Sequence, residues 1–563
     1  MGFPPLPKEV VRMVSVDTSL SALNGYMKKP LTMPVLSEAL SRMGFDVDDP
    51  TPESLKVDIT ADRPDMVSSA GIARVLNAYL GNSPGVPRVP VKSSSYELFI
   101  DPSVHPIRPC AAAMVIKGLS LNDSRLKELI WVQEKIHATF ARDRKKAAIG
   151  IYPLKKIAWP IHFKGESPSS IRFTPLGMDS PLAAADILAT HPTGKKYAHL
   201  LAELPLYPVF RDAKGKVLSL SPIINSQDTG QVSVGDRELF VEVSGHAWNT
   251  VSIILDILAQ VFHDMKGDVY SVTIHLPTVK DPRTTPELGV QSFTVELDTV
   301  NSTLGTSFTS TQVSDLLSRM MYDTVKSNPR QLVVETPSFR VDLLHEVDVV
   351  DDVARAYGFD NLQPQPVRVN TIGGVLPQSR LNEDVRDGVV GLGFQEVMTW
   401  HLTSHEHHFT AFDREHSPHV TLGVVKEQGL TMVRNMLYPE TLRALLANRS
   451  APQPFRLFEL DQVVDIHAGE ETGTVTHYKL CLLLGHAAAT YDEMKGNVDA
   501  LARFMGRPIA YSPVTLPGFI EGRTAHVKVG SFNGFLGEMH PRILERLSIS
   551  FPVVVFECYL STR

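Results

Sequence analysis

Two periodicities in the middle of the chain predict its most distinct secondary-structure elements. Residues 239–244 alternate apolar and polar positions, which is typical of a β-strand with two different faces. Asn249 and Thr250 then precede apolar residues at helical spacing, so we expect them to cap an amphipathic helix. A second strand is predicted to end in a turn at Pro222. The apolar residues of the helix are Val251, Ile254, Ile257, Leu258, Val261 and Phe262.

A distant repeat indicates that one small module is used twice. Residues 36–46 resemble residues 313–323 at an offset of 277, with six of eleven positions identical. The same offset places the Arg-x-Asp triplet Arg63–Asp65 on Arg340–Asp342. Copies this far apart exclude a solenoid, whose repeats are contiguous. We predict a helix, a short strand, a turn and a second helix in each copy.

The C-terminal third mixes helices and strands after a boundary rich in Pro and Gly at 364–374. A helix is predicted near Leu381, another opens at Tyr438 with Pro439 in its first turn, and a strand covers 455–460. A chain of 563 residues is expected to hold several domains, at about one per 100–200 residues. The predicted fold class is α+β and multidomain, with antiparallel sheets and few βαβ units.

Composition and charge exclude several classes of protein. No apolar run reaches the ~18 residues that suggest a membrane helix, and the N-terminus lacks a signal pattern. We therefore expect no membrane contact and a cytoplasmic location. Three widely separated cysteines argue against a disulfide framework. A net charge of −7 excludes a nucleic-acid binder driven by bulk charge, although local patches could still contact RNA.

One acidic segment has the spacing of a metal site. Asp348, Asp351 and Asp352 lie at i, i+3 and i+4, which puts three carboxylates on one helix face, and Asp342 lies six residues upstream. Four converging oxygen donors would suit Mg²⁺. The alternative is a solvated acidic face in which Arg355 pairs with Asp351 or Asp352. Spacing alone favours that alternative.

The middle segment offers candidate hydrolytic residues. Glu242 and Ser244 are two positions apart, so they share one strand face and could position a water or bind an ammonium or hydroxyl group. Spacing alone favours a half-buried strand with its polar side in water. The sequence shows no Ser-His-Asp order, no cysteine nucleophile motif and no metal-ligand spacing of histidines. Gly391 and Gly393 are not followed by a nucleotide-binding pattern, so no ATP site is visible.

Motifs spread over nearly the whole chain occur in the order found in one family. They are 60–66 with 71–74, 337–342 with 352–359, 392–399, 455–459 and 537–541. In this series the chain resembles the β subunits of phenylalanyl-tRNA synthetases, of the archaeal or eukaryotic cytosolic type.

The resemblance implies a domain plan and a partner. The partner would be an α subunit that holds the phenylalanine and ATP site, in an α₂β₂ heterotetramer that charges tRNA(Phe). The β chain would supply an editing domain and a class II synthetase fold without an active site. The implied domains are 1–88 (first repeat copy), 89–272 (editing domain), 273–362 (second copy, with the acidic helix) and 375–563 (inactive class II synthetase-like domain).

The resemblance also assigns candidate site residues. An editing domain would hydrolyse mischarged tyrosyl-tRNA, because an apolar pocket rejects an added hydroxyl only by about 10²-fold. Ser219, Glu242 and Ser244 fall on the family's pocket positions, and Phe210 falls near one. The family usually has Thr at Ser244 and Pro at Ser221. Glu242 would either recognise the tyrosine hydroxyl or orient the attacking water.

The acidic helix gains a second interpretation from the same resemblance. Asp342, Asp348, Asp351 and Asp352 match the spacing of the family's Mg²⁺ ligands, which the α subunit would complete. The resemblance therefore favours a metal site over a solvated helix face.

Two other functions are compatible with the sequence. One is a free-standing hydrolase that edits tRNA in trans. The other is a non-catalytic RNA-binding scaffold, a paralogue with a decayed pocket. The complete C-terminal third favours the synthetase subunit, because a lone editing factor has no need of an inactive class II fold.

Overall fold

The computed structural model describes residues 14–48, 50–277, 281–364, 366, 369–414, 417–423 and 429–560. The chain forms two compact units, Met1–Val367 and Arg368–Arg563. All three cysteines are unpaired. Within the described residues, no helix is both long enough and apolar enough to cross a membrane.

The first repeat copy is a small β-α-α-β-β-α module. Its three strands form an antiparallel sheet in the order β1-β3-β2. The elements are β1 Val14–Thr18, α1 Leu20–Asn24, α2 Met33–Arg42, β2 Asp46–Asp48, β3 Leu55–Ile59 and α3 Ser69–Tyr79.

The middle domain is built on a mixed eleven-stranded sheet. The main path runs β13-β12-β11-β8-β5-β15-β6-β14-β7, and β4 and β16 also pair with β15. The strands of this sheet are β4 Val91–Lys92, β5 Glu97–Ile100, β6 Cys110–Lys117, β7 Ala147–Pro153, β8 Ile161–Glu166, β11 Tyr207–Arg211, β12 Val217–Leu220, β13 Ile224–Asn225, β14 Leu239–Gly245, β15 Asp268–His275 and β16 Arg283–Thr285. A separate two-stranded sheet contains β9 Arg172–Phe173 and β10 Leu182–Ala183. The helices are α4 Asp123–Ala138, α5 Ala184–Thr190, α6 Pro192–Tyr197, α7 Gln227–Gly230 and α8 Trp248–Asp264.

The middle sheet curls until its two ends face each other. The amide of Asn225 on β13 lies 3.5 Å from the carbonyl oxygen of Ile151 on β7. The enclosed face forms one apolar core, which includes Phe163, Phe210 and Phe240. Helices α4 and α8 cover the other face of β6, β14 and β7.

The second repeat copy reproduces the first in order and in sheet topology. Its strands pair as β17-β19-β18, the counterpart of β1-β3-β2. The offset of 277 that aligns the sequences therefore also aligns the elements, with end positions that differ by at most three residues. The elements are β17 Val290–Glu296, α9 Leu297–Leu304, α10 Ser310–Ser318, β18 Asp323–Ser327, β19 Gln331–Pro337 and α11 Glu346–Tyr357.

One hydrogen-bond bridge recurs in both copies and shows that they share local structure. The Asn24 amide donates to the Leu31 carbonyl at 3.1 Å and accepts from the Leu31 N–H at 2.7 Å. Asn301 and Phe308, 277 residues later, make the same pair of bonds at 3.0 and 2.7 Å. The two modules also pack into a single apolar core. Each copy contains the two predicted helices and the predicted strand. Each also contains three elements that were not predicted: an opening strand, a short first helix and a second hairpin strand.

The second unit carries a seven-stranded sheet that is antiparallel except for one edge pair. The order is β20-β23-β24-β28-β27-β26-β25, and β20 runs parallel to β23. The strands of this sheet are β20 Gln395–Glu396, β23 Phe455–Ile466, β24 Thr474–Gly485, β25 Ile509–Pro513, β26 Phe519–Val529, β27 Phe532–Met539 and β28 Val553–Tyr559. A separate two-stranded sheet contains β21 Leu402–Thr403 and β22 Met432–Val433. The helices are α12 Pro377–Gly391, α13 His405–His408, α14 Tyr438–Ala447, α15 Tyr491–Phe504 and α16 Pro541–Arg546.

The sequence predictions hold at the level of class and of most elements. The protein is α+β with several sheets, and the helices predicted near Leu381 and at Tyr438 are α12 and α14. The predicted cap of α8 is wrong. The helix begins at Trp248 behind Ala247, and no side chain bonds its first turn. Its apolar face extends to that end, so burial sets the start of the helix.

Candidate functional site

Glu242 lies at the centre of β14 and is 3 % exposed. Its neighbours across the sheet are Gly150 on β7 and Ala113 on β6. A Cβ atom on Gly150 would lie 2.2 Å from Glu242 Oε1, so only glycine leaves room for the carboxylate. Ser244 is also fully buried. The alternative of a strand with its polar side in water is therefore wrong.

A tyrosine that was not predicted connects two of the candidate residues. Tyr152 Oη lies 2.8 Å from Ser219 Oγ and 3.0 Å from Glu242 Oε1. A hydroxyl carries one proton, so when Tyr152 donates to the carboxylate, Ser219 donates to Tyr152. Glu242 Oε2 is buried and has no hydrogen-bond partner within the described residues. The site thus presents one unoccupied carboxylate oxygen.

The carboxyl group of Glu242 titrates near neutral pH. Burial raises its pKa to about 8, and the hydrogen bond from Tyr152 and the charge of Arg108 offset part of that rise. A pKa close to the working pH suits a group that exchanges protons with substrate or water.

A buried arginine polarises the second pair of hydroxyls. Arg108 is 3 % exposed, and its Nε donates to Ser244 Oγ at 3.2 Å. Ser244 Oγ lies 2.8 Å from Ser221 Oγ. A guanidinium only donates, so Ser244 accepts from Arg108 and keeps its own proton to give. When Ser244 donates to Ser221, the proton of Ser221 is left for another acceptor. No carboxylate of the described residues forms an ion pair with Arg108, and burial lowers its pKa to about 10.

Both hydroxyl systems reach one cavity of about 310 Å³. It opens where the curled sheet fails to close, between β7 on one side and β12 and β13 on the other. Ser219, Ser221 and Glu242 line it, whereas Ser244 stands behind Ser221. Much of the remaining wall is apolar and includes Leu126, Leu129, Ile130, Ile149, Ile151 and Val232.

One predicted neighbour of the pocket belongs to the core. Phe210 is fully buried and stacks on Phe163, with ring centroids 4.1 Å apart. It pairs with Ser219 across β11 and β12 but does not line the cavity. The structure therefore brings Ser219, Glu242 and Ser244 together and keeps Phe210 outside the site.

Three further side chains complete the site, and sequence reasoning missed all of them. They are Tyr152, Arg108 and Arg144, the last of which lines the cavity. Gly150 carried the signal for Tyr152, since a glycine inside an apolar strand marks a close approach of another group. Arg108 lies 134 residues before Glu242, and its position depends on the fold of the sheet.

Each of the four carboxylates of the acidic segment has a protein partner in the structure. Among the described residues, no group of three or more His, Cys, Asp or Glu side chains is placed to hold a metal ion. Asp348 accepts the N–H groups of Leu344 and His345 at the helix start. Asp351 pairs with Arg355 at 2.6 Å, as the alternative interpretation predicted.

Arg340 occupies the space between the other two carboxylates. Its Nη2 lies 2.7 Å from Asp342 Oδ2 and 2.7 Å from Asp352 Oδ2. The hydroxyl of Tyr322 also donates to Asp352 at 2.7 Å. The first copy holds an equivalent pair, Arg63–Asp65, in the turn ahead of α3, a helix that has no acidic residues. The Arg–Asp pair is thus a property of the repeat. Asp342 and Asp352 meet at Arg340, and the metal site at Asp342, Asp348, Asp351 and Asp352 stays a prediction.

Comparison with known proteins identifies the same family across both units. Residues 363–560 match the family described as "Phenylalanyl tRNA synthetase beta chain CLM domain", and residues 293–359 match "tRNA synthetase B5 domain". The "Phenylalanine--tRNA ligase beta subunit" of Thermococcus gammatolerans is 33% identical over 97% of this chain and 98% of its own length. That of Pyrococcus horikoshii is 32% identical over 97% and 99%.

A solved structure matches the first unit. An N-terminal fragment of the phenylalanyl-tRNA synthetase beta-subunit from Pyrococcus horikoshii aligns with a TM-score of 0.58 at 31% identity. The match covers 61% of this chain and 99% of the fragment. Fold, domain matches and full-length identity agree, and the chain belongs to the phenylalanyl-tRNA synthetase beta-chain family.

Proposed function

We propose that this chain acts as the β subunit of a phenylalanine–tRNA ligase and that its middle cavity hydrolyses mischarged tyrosyl-tRNA(Phe). The relatives that match along their whole length carry the name of that subunit. The observation that carries the hydrolytic part is the buried, unpartnered Oε2 of Glu242, a residue that lines the cavity. A buried carboxylate oxygen without a partner is unfavourable unless a ligand or water completes it.

Two side chains on the cavity wall, Glu242 and Ser221, have complementary roles in ester hydrolysis. Glu242 takes the proton of the attacking water, because its free oxygen and its pKa of about 8 suit a general base. Ser221 donates toward the ester carbonyl, where negative charge develops, and Arg108 strengthens that donor through Ser244. Protonated Glu242 then returns that proton to the ribose oxygen as the ester C–O bond breaks, which frees tyrosine and the tRNA ribose hydroxyl.

The apolar wall and the polar end also suit the amino acid. A tyrosyl ring fits among the leucine and isoleucine side chains, and the hydroxyl of Ser219 on the same wall is a polar group for its phenol. A site that pairs polar groups with a hydroxyl discriminates strongly against a substrate that lacks it. Tyrosyl ester is therefore preferred to phenylalanyl ester.

The second unit supports the charging role through its partner. We assign adenylate formation to an α subunit, because the glycines at 391 and 393 end helix α12 and open no phosphate-binding loop. The same proposal includes an α₂β₂ assembly, an inactive class II synthetase fold over residues 375–563 and a cytoplasmic location for the charging of tRNA(Phe). In the structure Arg340 engages Asp342 and Asp352, the helix start engages Asp348, and Arg355 engages Asp351, so the hydrolytic step is derived from the cavity residues alone.

The test is hydrolysis of tyrosyl-tRNA(Phe) by the purified αβ complex, with Glu242→Ala and Glu242→Gln variants. We expect both variants to lose about 10²–10⁴-fold in rate, the range for general acid–base catalysis. The wild-type rate should rise with pH up to about 8, because the ionised carboxyl is the active form.

Two results would contradict parts of this assignment. If Glu242→Gln keeps the rate but no longer distinguishes tyrosyl from phenylalanyl ester, Glu242 recognises the hydroxyl and does not act as base. If the wild-type complex hydrolyses neither ester, the chain is a scaffold without editing. A trans-editing role would require that the chain alone, without an α subunit, matches the rate of the complex.

A further inference from the structure

A cationic loop borders the cavity between α4 and β7. Residues 142–146 read Arg-Asp-Arg-Lys-Lys, and all of them except Arg144 are exposed. In the described part of the chain, Arg142, Lys145 and Lys146 form no ion pair. Three uncompensated cations therefore stand in one short loop, with Asp143 as the single carboxylate among them.

The backbone of this loop is held in an unusual conformation. Arg142, Asp143 and Arg144 have φ angles of 48°, 50° and 63°, and none is glycine. The left-handed region is unfavourable for such residues, so three in succession persist only where the surroundings impose them. Strain of this kind concentrates at functional sites.

Arg144 is the group that imposes the loop shape. Its guanidinium donates to the Ile223 carbonyl at 2.8 Å and to Glu134 Oε1 at 3.0 Å, and it lies 4.5 Å above the Tyr197 ring. The backbone carbonyl of Arg144 accepts from Arg108 at 3.3 Å. Arg144 also lines the cavity. The loop is thus fixed to both walls of the cavity, with its remaining cations free.

We propose that this basic loop, residues 142–146, binds the phosphates of the single-stranded 3′ end of the aminoacyl-tRNA. The inference rests on the proposed function, because the ester that enters the cavity is attached to the last ribose. The preceding phosphates must then lie at the cavity mouth. With a net charge of −7, the whole chain does not attract RNA, so local cations must supply the contact.

The test uses Lys145→Glu/Lys146→Glu in the αβ complex, with tyrosyl-tRNA(Phe) hydrolysis measured over a range of salt concentrations. We expect KM to rise about tenfold or more and kcat to change less than about twofold. The dependence of log KM on log salt should become shallower by about 1.4, at about 0.7 for each lost contact to a single strand. A melting curve of each variant checks that the fold is intact.

Lys28→Glu/Lys29→Glu is the matched control, since it changes the net charge equally on another adjacent, exposed lysine pair of the N-terminal module. Its KM and salt dependence should match wild type. An equal effect of both variants would overturn the assignment, because overall charge would then explain it. Unchanged KM in Lys145→Glu/Lys146→Glu, with hydrolysis still lost in Glu242→Ala, would also overturn the loop assignment and leave editing intact.

A complex that hydrolyses no ester would contradict the proposed function but still allow a decision on the loop. The probe is then a labelled single-stranded RNA, with its affinity measured by fluorescence anisotropy. Weaker binding by the loop variant than by the control variant supports the loop as an RNA contact. Equal binding by both overturns it.

Discussion

At the scale of single residues, the cavity keeps two opposite charges buried without pairing them directly. Among the described residues, Arg108 donates three hydrogen bonds to oxygen atoms and pairs with no carboxylate, and Glu242 Oε2 has no hydrogen-bond partner. Burial opposes the charged form of both groups. Since burial raises the pKa of Glu242 to about 8, the folded protein keeps the carboxyl proton of Glu242 up to a higher pH than the unfolded protein does. Protonated Glu242 therefore contributes fully to the stability of the folded state below about pH 4.5. That contribution is lost as the pH rises through 8.

The first prediction separates the charge of Arg108 from the hydroxyl that it polarises. Arg108→Met should lower kcat for ester hydrolysis and move the midpoint of the pH–rate curve upward, because the guanidinium lowers the pKa of Glu242. Ser221→Ala should lower kcat by about 10- to 100-fold without moving the midpoint. Steady-state rates between pH 6 and 10 measure both effects.

A purely structural role for Arg108 makes a different prediction. In that case Arg108→Met would lower the melting temperature and the amount of active enzyme, while the pH midpoint of the remaining activity would stay in place. Thermal unfolding of each variant, recorded at the pH of the assay, distinguishes the two cases.

At the scale of elements, the repeat could be predicted from the sequence, but the path of the middle sheet could not. The offset of 277 was visible because helix α2 and its counterpart α10 keep identical side chains at the same positions. The cavity was not visible, because it forms where β7 meets β12 and β13 after the sheet has curled. Periodicity identifies a strand and its two faces, but it does not say which distant strand closes the site.

The acidic helix shows the limit of spacing as evidence for chemistry. Carboxylates at i, i+3 and i+4 were expected to share a face, yet Asp348 turns back to cap its own helix and Asp352 turns inward to Arg340. A capping bond and a buried ion pair each direct a side chain away from its neighbours. Side-chain partners, and not helix geometry alone, decide where a carboxylate points.

Those partners predict how the second repeat copy responds to mutation and to metal removal. Arg340→Met should cost about 3–5 kcal/mol of unfolding free energy, because buried Asp352 and half-buried Asp342 lose their cation. Arg63→Met is the matched change in the first copy and should cost less, since one carboxylate is involved. EDTA should leave the melting temperature unchanged. Denaturant titration and thermal melts measure these effects.

A stabilising site for Mg²⁺ at this helix would reverse that pattern. The melting temperature would then rise with millimolar Mg²⁺ and fall with EDTA, and Asp348→Asn and Asp351→Asn would abolish the response. Under the geometry described, those two variants should change stability by less than about 1 kcal/mol, because Asp351 forms an exposed pair with Arg355.

At the scale of the whole molecule, the second unit leaves large apolar side chains uncovered. Met398 is 86% exposed and Trp400 is 80% exposed, on the segment that follows edge strand β20. Leu402 is 37% exposed on the same segment. Apolar groups exposed together in this way mark a protein interface. Such a surface suits the proposed role of this chain, in which a partner subunit forms the adenylate.

Met398→Glu/Trp400→Glu should therefore prevent assembly with the α subunit while the β chain stays folded. Light scattering should give a mass of two copies of each chain for wild type and of separate subunits for the variant. Phenylalanine-dependent ATP–pyrophosphate exchange should require the α subunit. Val234→Glu, at a residue 58% exposed in the first unit, should assemble normally. If the double variant still forms the full complex, this apolar segment is not the α contact, because two buried charges would abolish a packed interface.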